Sequence, residues 1–188
     1  MIADEAEPIY IIEPFDPNVH DRAAFSCGVD QVDNYFKKTA NKLAQANNVR
    51  VFVMKRISDD QVIGFYATNA HAVDYAELPP KYARTRPGHG AIPAAYISMM
   101  GVDERFGGDL LVDALQRLEG VSADTGMAVI MLDVLDCGTP ANVERRLKLY
   151  ESYGFIPLPS NPLRLFLPTE TVSKMLEQLD AEEEEPPA

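Results

Sequence analysis

A chain of 188 residues, 46% apolar and 24% charged, has the size and balance of one globular domain, expected here over residues 1–176. No apolar run approaches the roughly 20 residues that cross a bilayer, and Met1-Ile-Ala-Asp-Glu-Ala-Glu7 is acidic where a signal peptide is basic, so the expected setting is cytoplasmic, with no membrane partner. The net charge of −12 argues against broad, nonspecific nucleic-acid binding; six of the negatives lie in the last twelve residues, an acidic tail (177–188) expected to be disordered, which leaves −6 for the body.

Ile9-Tyr-Ile-Ile12 reads as a first strand broken by Pro14. A helix is expected over Asp30–Ala44, capped by Asp30, with Val32, Tyr35, Phe36, Thr39 and Leu43 on one stripe, and ended by Asn47-Asn48. Arg50–Lys55 and Gln61–Thr68 form a hairpin around a Ser58-Asp-Asp60 turn. A long Pro/Gly-rich loop follows, from Pro79 to Pro93, and then a strand over Ala94–Val102. Leu110–Glu119 reads as a helix and Met127–Val134 as an apolar, centrally buried strand. Ala141–Tyr153 is a helix ended by Gly154, Leu163–Leu167 a closing strand, and Thr171–Leu179 a terminal helix. This order gives an α/β (α+β) fold with one sheet and helices on its faces.

Cys27 and Cys137 lack metal-ligand spacing and read as buried free thiols; no His/Cys/Asp cluster suggests a metal. Asn69 and His71 follow the second hairpin strand, where either a hydrogen-bonded structural role or a substrate contact fits. Three groups of cations stand out: Lys37, Lys38 and Lys42 on one helix, Lys81, Arg84 and Arg86 in the long loop, and Arg145, Arg146 and Lys148 before Tyr150. Each reads as a solvated face or, where groups converge, as a phosphate-binding edge.

The stretch Tyr96-Ile-Ser-Met-Met-Gly-Val-Asp-Glu-Arg-Phe-Gly-Gly-Asp-Leu-Leu111 carries the chemistry. It is a strand, a glycine turn and a helix N-terminus, where backbone N–H groups and the helix dipole receive phosphate and glycine admits close approach. It resembles the acetyl-coenzyme A loop of the GNAT N-acetyltransferases, Val-Asp-x-x-x-Gln-Gly-x-Gly-x-Gly-x-x-Leu-Leu. Against that pattern, five residues, Gln-Gly-x-Gly-x, are absent between Phe106 and Gly107, while both flanks match. A second block, Arg145-Arg-Leu-Lys-Leu-Tyr-Glu-Ser-Tyr-Gly-Phe155, resembles the helix of that family that ends in Tyr-x-x-Phe/Tyr-Gly-Phe. Phe25-Ser-Cys-Gly28, Val62-Ile-Gly-Phe-Tyr66, Ala72–Pro79 and Pro157–Pro168 are similar to the GNAT toxins of toxin–antitoxin pairs, over roughly residues 10–176.

The resemblance implies a GNAT fold with a central, mixed, mostly antiparallel twisted sheet and helices on both faces. It implies acetyl-CoA as cosubstrate, without a metal, held by Met100, Gly101, Val102, Gly107, Gly108 and Asp109, with Tyr150 as the general acid that protonates the coenzyme A thiolate. Asn69, His71, Arg84 and Arg86 fall on the acceptor side. The implied acceptor is the α-amine of aminoacyl-tRNA, with a small-molecule or protein amine as the alternative. The implied partners are a ribbon-helix-helix antitoxin and a second copy in a homodimer, without sequence-specific DNA binding by the chain itself. The shortened loop leaves a further alternative, a catalytically dead GNAT-fold binding module.

Overall fold

The computed structural model describes residues 9–84, 90–102 and 106–184. Strands β1 (Tyr10–Pro14), β2 (Arg50–Arg56), β3 (Val62–Asp74), β4 (Ala91–Val102), β5 (Val129–Asp133), β6 (Ile156–Leu158) and β7 (Asn161–Pro168) are ordered β1-β2-β3-β4-β5-β7-β6. β1–β2, β2–β3, β5–β7 and β6–β7 pair antiparallel, and β4–β5 pairs parallel. This is the mixed, mostly antiparallel sheet of the GNAT pattern. The helices are α1 (Asp30–Asn34), α2 (Ala40–Gln45), α3 (Pro80–Ala83), α4 (Gly107–Thr125), α5 (Pro140–Ser152) and α6 (Thr169–Glu184), with a π-helical turn over Tyr35–Thr39 and a 3₁₀ turn over Tyr75–Glu77. The described residues group into two compact units, one running to Asn69 with Met99–Asp113, the other Ala70–Ser98 with Ala114 onward.

The first unit is built on a phenylalanine cluster. Phe36 stacks on Phe65 at 4.3 Å and meets Phe25 and Phe15 edge-on at 5.2 and 5.6 Å. The π turn sets which residues of the helical segment reach this core. Its i→i+5 bonding advances the register, so Val32, Phe36 and Ala40 are buried while Thr39, expected on the stripe, is exposed. Asp30 does not cap α1, whose N-cap is Val29 with no side-chain bond. Asp33 instead reaches back, accepting from the Cys27 N–H at 2.9 Å and the Ser26 hydroxyl at 2.7 Å. That bond pair folds the Ser26–Gly28 loop, in which Gly28 takes φ +81°, against the end of β4. There a Cβ on Gly101 would lie 2.4 Å from Val32 Cγ1 and 3.1 Å from Phe65 Cε1. The helix sits so close to the strand that only glycine fits.

The second unit packs Val73, Ile92, Val129, Met131, Leu158 and Phe166 into one core, with Tyr82 edge-on to Phe166 at 5.2 Å. β5 is buried from Val129 to Leu132, as its unbroken apolar run requires. β6, with Pro157, occupies the sheet edge, the place a strand proline tolerates. Several expected boundaries move: β4 starts at Ala91 rather than Ala94, and α4 runs Gly107–Thr125 rather than Leu110–Glu119. β3 continues six residues past Thr68, and α6 reaches Glu184 rather than stopping at Leu179.

Gly101→Ala should destabilise the chain by on the order of 2–3 kcal/mol, because Val32 and Phe65 must both retreat. Urea unfolding measures it; an unchanged midpoint would mean the helix yields freely.

Candidate active site

The expected cofactor residues all lie in the first unit. The β4–β5 register runs from Ala94↔Val129 to Ile97↔Leu132, so Met99–Val102 lie beyond it. Val102 in turn packs close to β3 and α4: a Cβ on Gly64 would stand 2.8 Å from Val102 Cγ2 and 3.3 Å from Leu110 Cδ2. α4 begins at Gly107, directly after Phe106, and runs for 19 residues, so its first turn is Gly107-Gly-Asp109. Phe106 meets the Tyr10 ring edge-on at 5.5 Å. Burial, and then the nearby Asp109 carboxylate, raise the pKa of the Tyr10 phenol. One turn on, the Tyr66 hydroxyl donates to Asp113 at 2.5 Å, with its ring stacked on Phe52 at 5.1 Å. A tyrosine of the sheet thus holds the start of α4 through the Asp113 carboxylate.

A negative first-turn side chain and a phosphate both answer the same helix dipole, and Asp109 supplies such a side chain here. A Cβ on Gly107 would meet only Val102 Cγ1, at 3.7 Å. The five residues missing by comparison with the GNAT pattern would have extended this cradle.

Tyr150 belongs to the second unit and is fixed from both ends of α5. At the start, Thr139 caps the helix by accepting from the Asn142 N–H, and Pro140 takes the first helical position. Arg146 then ties the preceding loop down, donating through Nη1 to the carbonyls of Leu135 and Cys137 at 2.9 and 2.8 Å. At the end, the Gly154 N–H bonds to the Glu151 carbonyl and the Phe155 N–H to that of Tyr150, with Gly154 at φ +88°. This Schellman pairing stops the helix one turn after the tyrosine. The Tyr150 ring lies edge-on to Phe155 at 6.0 Å. Burial raises the phenol's pKa, and the Arg146 charge opposes that rise in part. The hydroxyl therefore keeps its proton at neutral pH, the state a general acid needs.

On the expected acceptor side, Asn69 is half-buried on β3, His71 is exposed further along it, and Arg84 is exposed just after α3. Arg86 lies outside the described residues. The cation groups divide. Lys38 and Lys42 are exposed, and Lys37 lines an open cleft of about 540 Å³ with Arg22 and residues 17–23. Arg146 is spent on the loop carbonyls, and Lys148 pairs with Glu144 at 2.6 Å. Sequence reasoning missed one array. The Tyr96 hydroxyl donates to Asp133 at 2.8 Å, and Arg164 grips the same carboxylate through Nε and Nη2 at 2.7 and 2.8 Å. His71 covers the Tyr96 ring at 5.0 Å. Its signal was present: an aspartate closing the most apolar strand of the chain and an arginine inside a strand otherwise made of leucine and phenylalanine.

No protein-family model matches the chain. Its fold does have solved counterparts. AtaT complexed with acetyl-methionyl-tRNAfMet superposes with a TM-score of 0.77 at 22% identity, over 89% of this chain and 99% of that one. A tyrosine-to-phenylalanine mutant of AtaT, bound to the C-terminus of the antitoxin AtaR and acetyl-CoA, gives 0.72 at 19% identity, over 90% and 99%. The architecture is that of the GNAT-fold toxins. In sequence, the probable toxin TacT of Sinorhizobium fredii is 58% identical over 171 residues, spanning 88% of this chain and 94% of its own length. The chain belongs to the TacT family of GNAT toxins.

Arg164 and the Tyr96 hydroxyl hold Asp133 below the usual carboxylate range, against the opposing effect of burial. A carboxyl whose folded pKa is depressed contributes its stability above the unfolded value of about 4, and loses it as pH falls through the folded one. Asp133→Asn should therefore be less stable than the parent chain at pH 7, and the gap should close as pH falls below the unfolded carboxyl value and through the lower folded one. Thermal melts across that range test this; a gap independent of pH would show that packing, not charge, sets it.

Proposed function

We propose that this chain is an acetyl-CoA-dependent N-acetyltransferase whose acceptor is the α-amine of aminoacyl-tRNA, acting in the cytoplasm as the toxin of a toxin–antitoxin pair. The observation that carries the chemistry is Tyr150, a phenol that holds its proton at neutral pH and is positioned at the end of α5 by the helix-terminating bonds. Membership of the TacT family supports the toxin setting. The similar AtaT structures, with their acetylated tRNA, acetyl-CoA and antitoxin, support the acceptor, the cosubstrate and the partner. Among the described residues, no helix is long and apolar enough to cross a membrane.

Acetyl-CoA, when bound, supplies the acetyl group as a thioester. On the protein side, backbone groups of Met100, Gly101 and Val102 align and polarise that thioester, and N–H groups of Gly107, Gly108 and Asp109 face the pyrophosphate. Tyr150 Oη holds the proton that leaves with the thiol. Asn69, His71, Arg84 and Arg86 serve the acceptor, which attacks as the neutral amine. The antitoxin is a small ribbon-helix-helix protein that carries the DNA-binding role.

Tyr150→Phe should lower turnover by about 10²–10⁴-fold while leaving acetyl-CoA affinity within a factor of about two; unchanged turnover removes Tyr150 from the chemistry. In cells, expression of the intact chain should arrest growth, and co-expression of the product of a small adjacent gene should relieve it. Full growth with an active enzyme would favour a housekeeping amine as the acceptor.

The first turn of α4 favours a second reading, a GNAT-fold binding module. Each charge-assisted hydrogen bond is worth roughly 1.5–3 kcal/mol, so two or three missing N–H donors weaken pyrophosphate binding by several orders of magnitude. Inserting Gln-Gly-Arg-Gly-Phe between Phe106 and Gly107 should tighten acetyl-CoA binding at least 100-fold by calorimetric titration. Micromolar affinity without the insertion would remove the binding-module reading.

A further inference from the structure

The array of His71, Tyr96, Asp133 and Arg164 spans β3, β4, β5 and β7, four strands adjacent in the sheet, and lies wholly within the second unit. Two features separate it from an ordinary polar sheet surface. The first is rigidity. Asp133 accepts three hydrogen bonds, two from one guanidinium and one from a phenol, so the hydroxyl end of Tyr96 is anchored. Asp133 and Arg164 are also direct partners across β5 and β7. The second is position. The array stands where β4–β5 pairing ends: Ile97↔Leu132 is the last pair in register, and Asp133 is the next residue of β5.

What the array presents to solvent is specific. The exposed His71 ring lies over Tyr96 at a 31° tilt, a two-ring platform at the surface. Arg164, with its side chain 34% exposed, gives Nε and Nη2 to Asp133 and keeps the hydrogens of Nη1 for another acceptor. The charges facing it are Asp133 and, more distantly, Glu77. Aromatic faces beside a guanidinium form the combination that takes an unpaired nucleotide, with the base stacked on the rings and the phosphate on the cation.

We propose that this array receives the 3′-terminal nucleotide of the acceptor RNA, its base stacking on His71 and Tyr96 and its phosphate meeting Arg164. The inference rests on the aminoacyl-tRNA reading above and adds to it the residues that hold the end of the RNA. His71 and Tyr96 act here as positioning residues, and neither transfers a proton.

The test uses the full chain and two fluorescent RNA minihelices, one ending in CCA and one lacking the terminal A, compared by anisotropy. The intact chain should prefer the CCA form about tenfold, as one base–aromatic stack provides. His71→Ala should lose that preference with an unchanged melting temperature, since the residue is exposed, and His71→Phe should restore it. In steady state, His71→Ala should raise KM for aminoacyl-tRNA about tenfold with KM for acetyl-CoA unaltered. Equal binding of both minihelices by the intact chain, binding of neither, or a preference that survives His71→Ala overturns the proposal. The aminoacyl-tRNA reading fails separately, if the intact chain transfers no acetyl group to any aminoacyl-tRNA.

Discussion

The parallel pairing of β4 with β5, and the point at which it stops, is the constraint on which the candidate site depends. Four residue pairs join the strands, from Ala94↔Val129 to Ile97↔Leu132. β4 runs on for five residues, through Val102, and β5 for one, Asp133. A parallel ladder that continued would occupy the backbone groups of Met100–Val102, the groups an extended acyl chain can pair with. Burial explains where the pairing is strong: Ala94, Ala95 and Ile97 and the whole of Val129–Leu132 are buried. Beyond that, on β4, Met99 and Met100 are only half-buried, and the next residue is a glycine roofed by Val32 and Phe65.

The start of α4 is governed by a second interaction, with polar rather than apolar origins. Leu110, Leu111, Ala114, Leu115 and Leu118 supply the buried face of this helix, and that face alone would tolerate sliding or fraying at the glycine end. The Tyr66–Asp113 bond ties this helix to β3, and the Tyr10 ring of β1 packs on Phe106 just before it. The helix then begins immediately after Phe106, where the GNAT pattern has a longer loop. The position of this helix start is therefore set by packing around the short turn.

Much of this was legible in the residues because one physical signal dominated locally. The unbroken apolar run of β5, the Asn47 stop with φ +62°, the Asp60 hairpin turn with φ +56° and the Gly154 helix end all follow from side-chain chemistry at the position itself. The failures share a different origin, tertiary context. Nothing in Tyr35–Thr39 announces a π turn; it arises from seating Val32 against Gly101 and Phe36 against Phe65 in one helical segment. The second half of β3, Asn69–Asp74, is mostly exposed and shows no alternation to mark it as strand. Asp33, four residues into the apparent helix, outcompetes Asp30 as the loop's acceptor because the Cys27 N–H and Ser26 hydroxyl fold back onto it. Tyr150 was found through the family pattern, whereas the Tyr96–Asp133–Arg164 array joins residues 37 and 31 positions apart in sequence.

Charge raises the last question, how an acidic chain of net −12 engages a polyanion. Several cations that a count would assign to a positive face are engaged internally. Arg146 holds loop carbonyls, Lys55 bridges Glu13 and Asp60, Arg56 pairs with Asp59, and Lys148 with Glu144. Diffuse phosphate attraction would therefore be a small part of recognition, and the proposed RNA acceptor would need contacts of a different kind. Stacking and single, well-oriented guanidinium bonds meet that need. They depend on geometry more than on field, and they are the interactions a rigid sheet surface delivers. On the proposed reading an acidic body becomes an asset for selectivity: it would discourage binding along an RNA duplex and leave discrimination to the end of the strand.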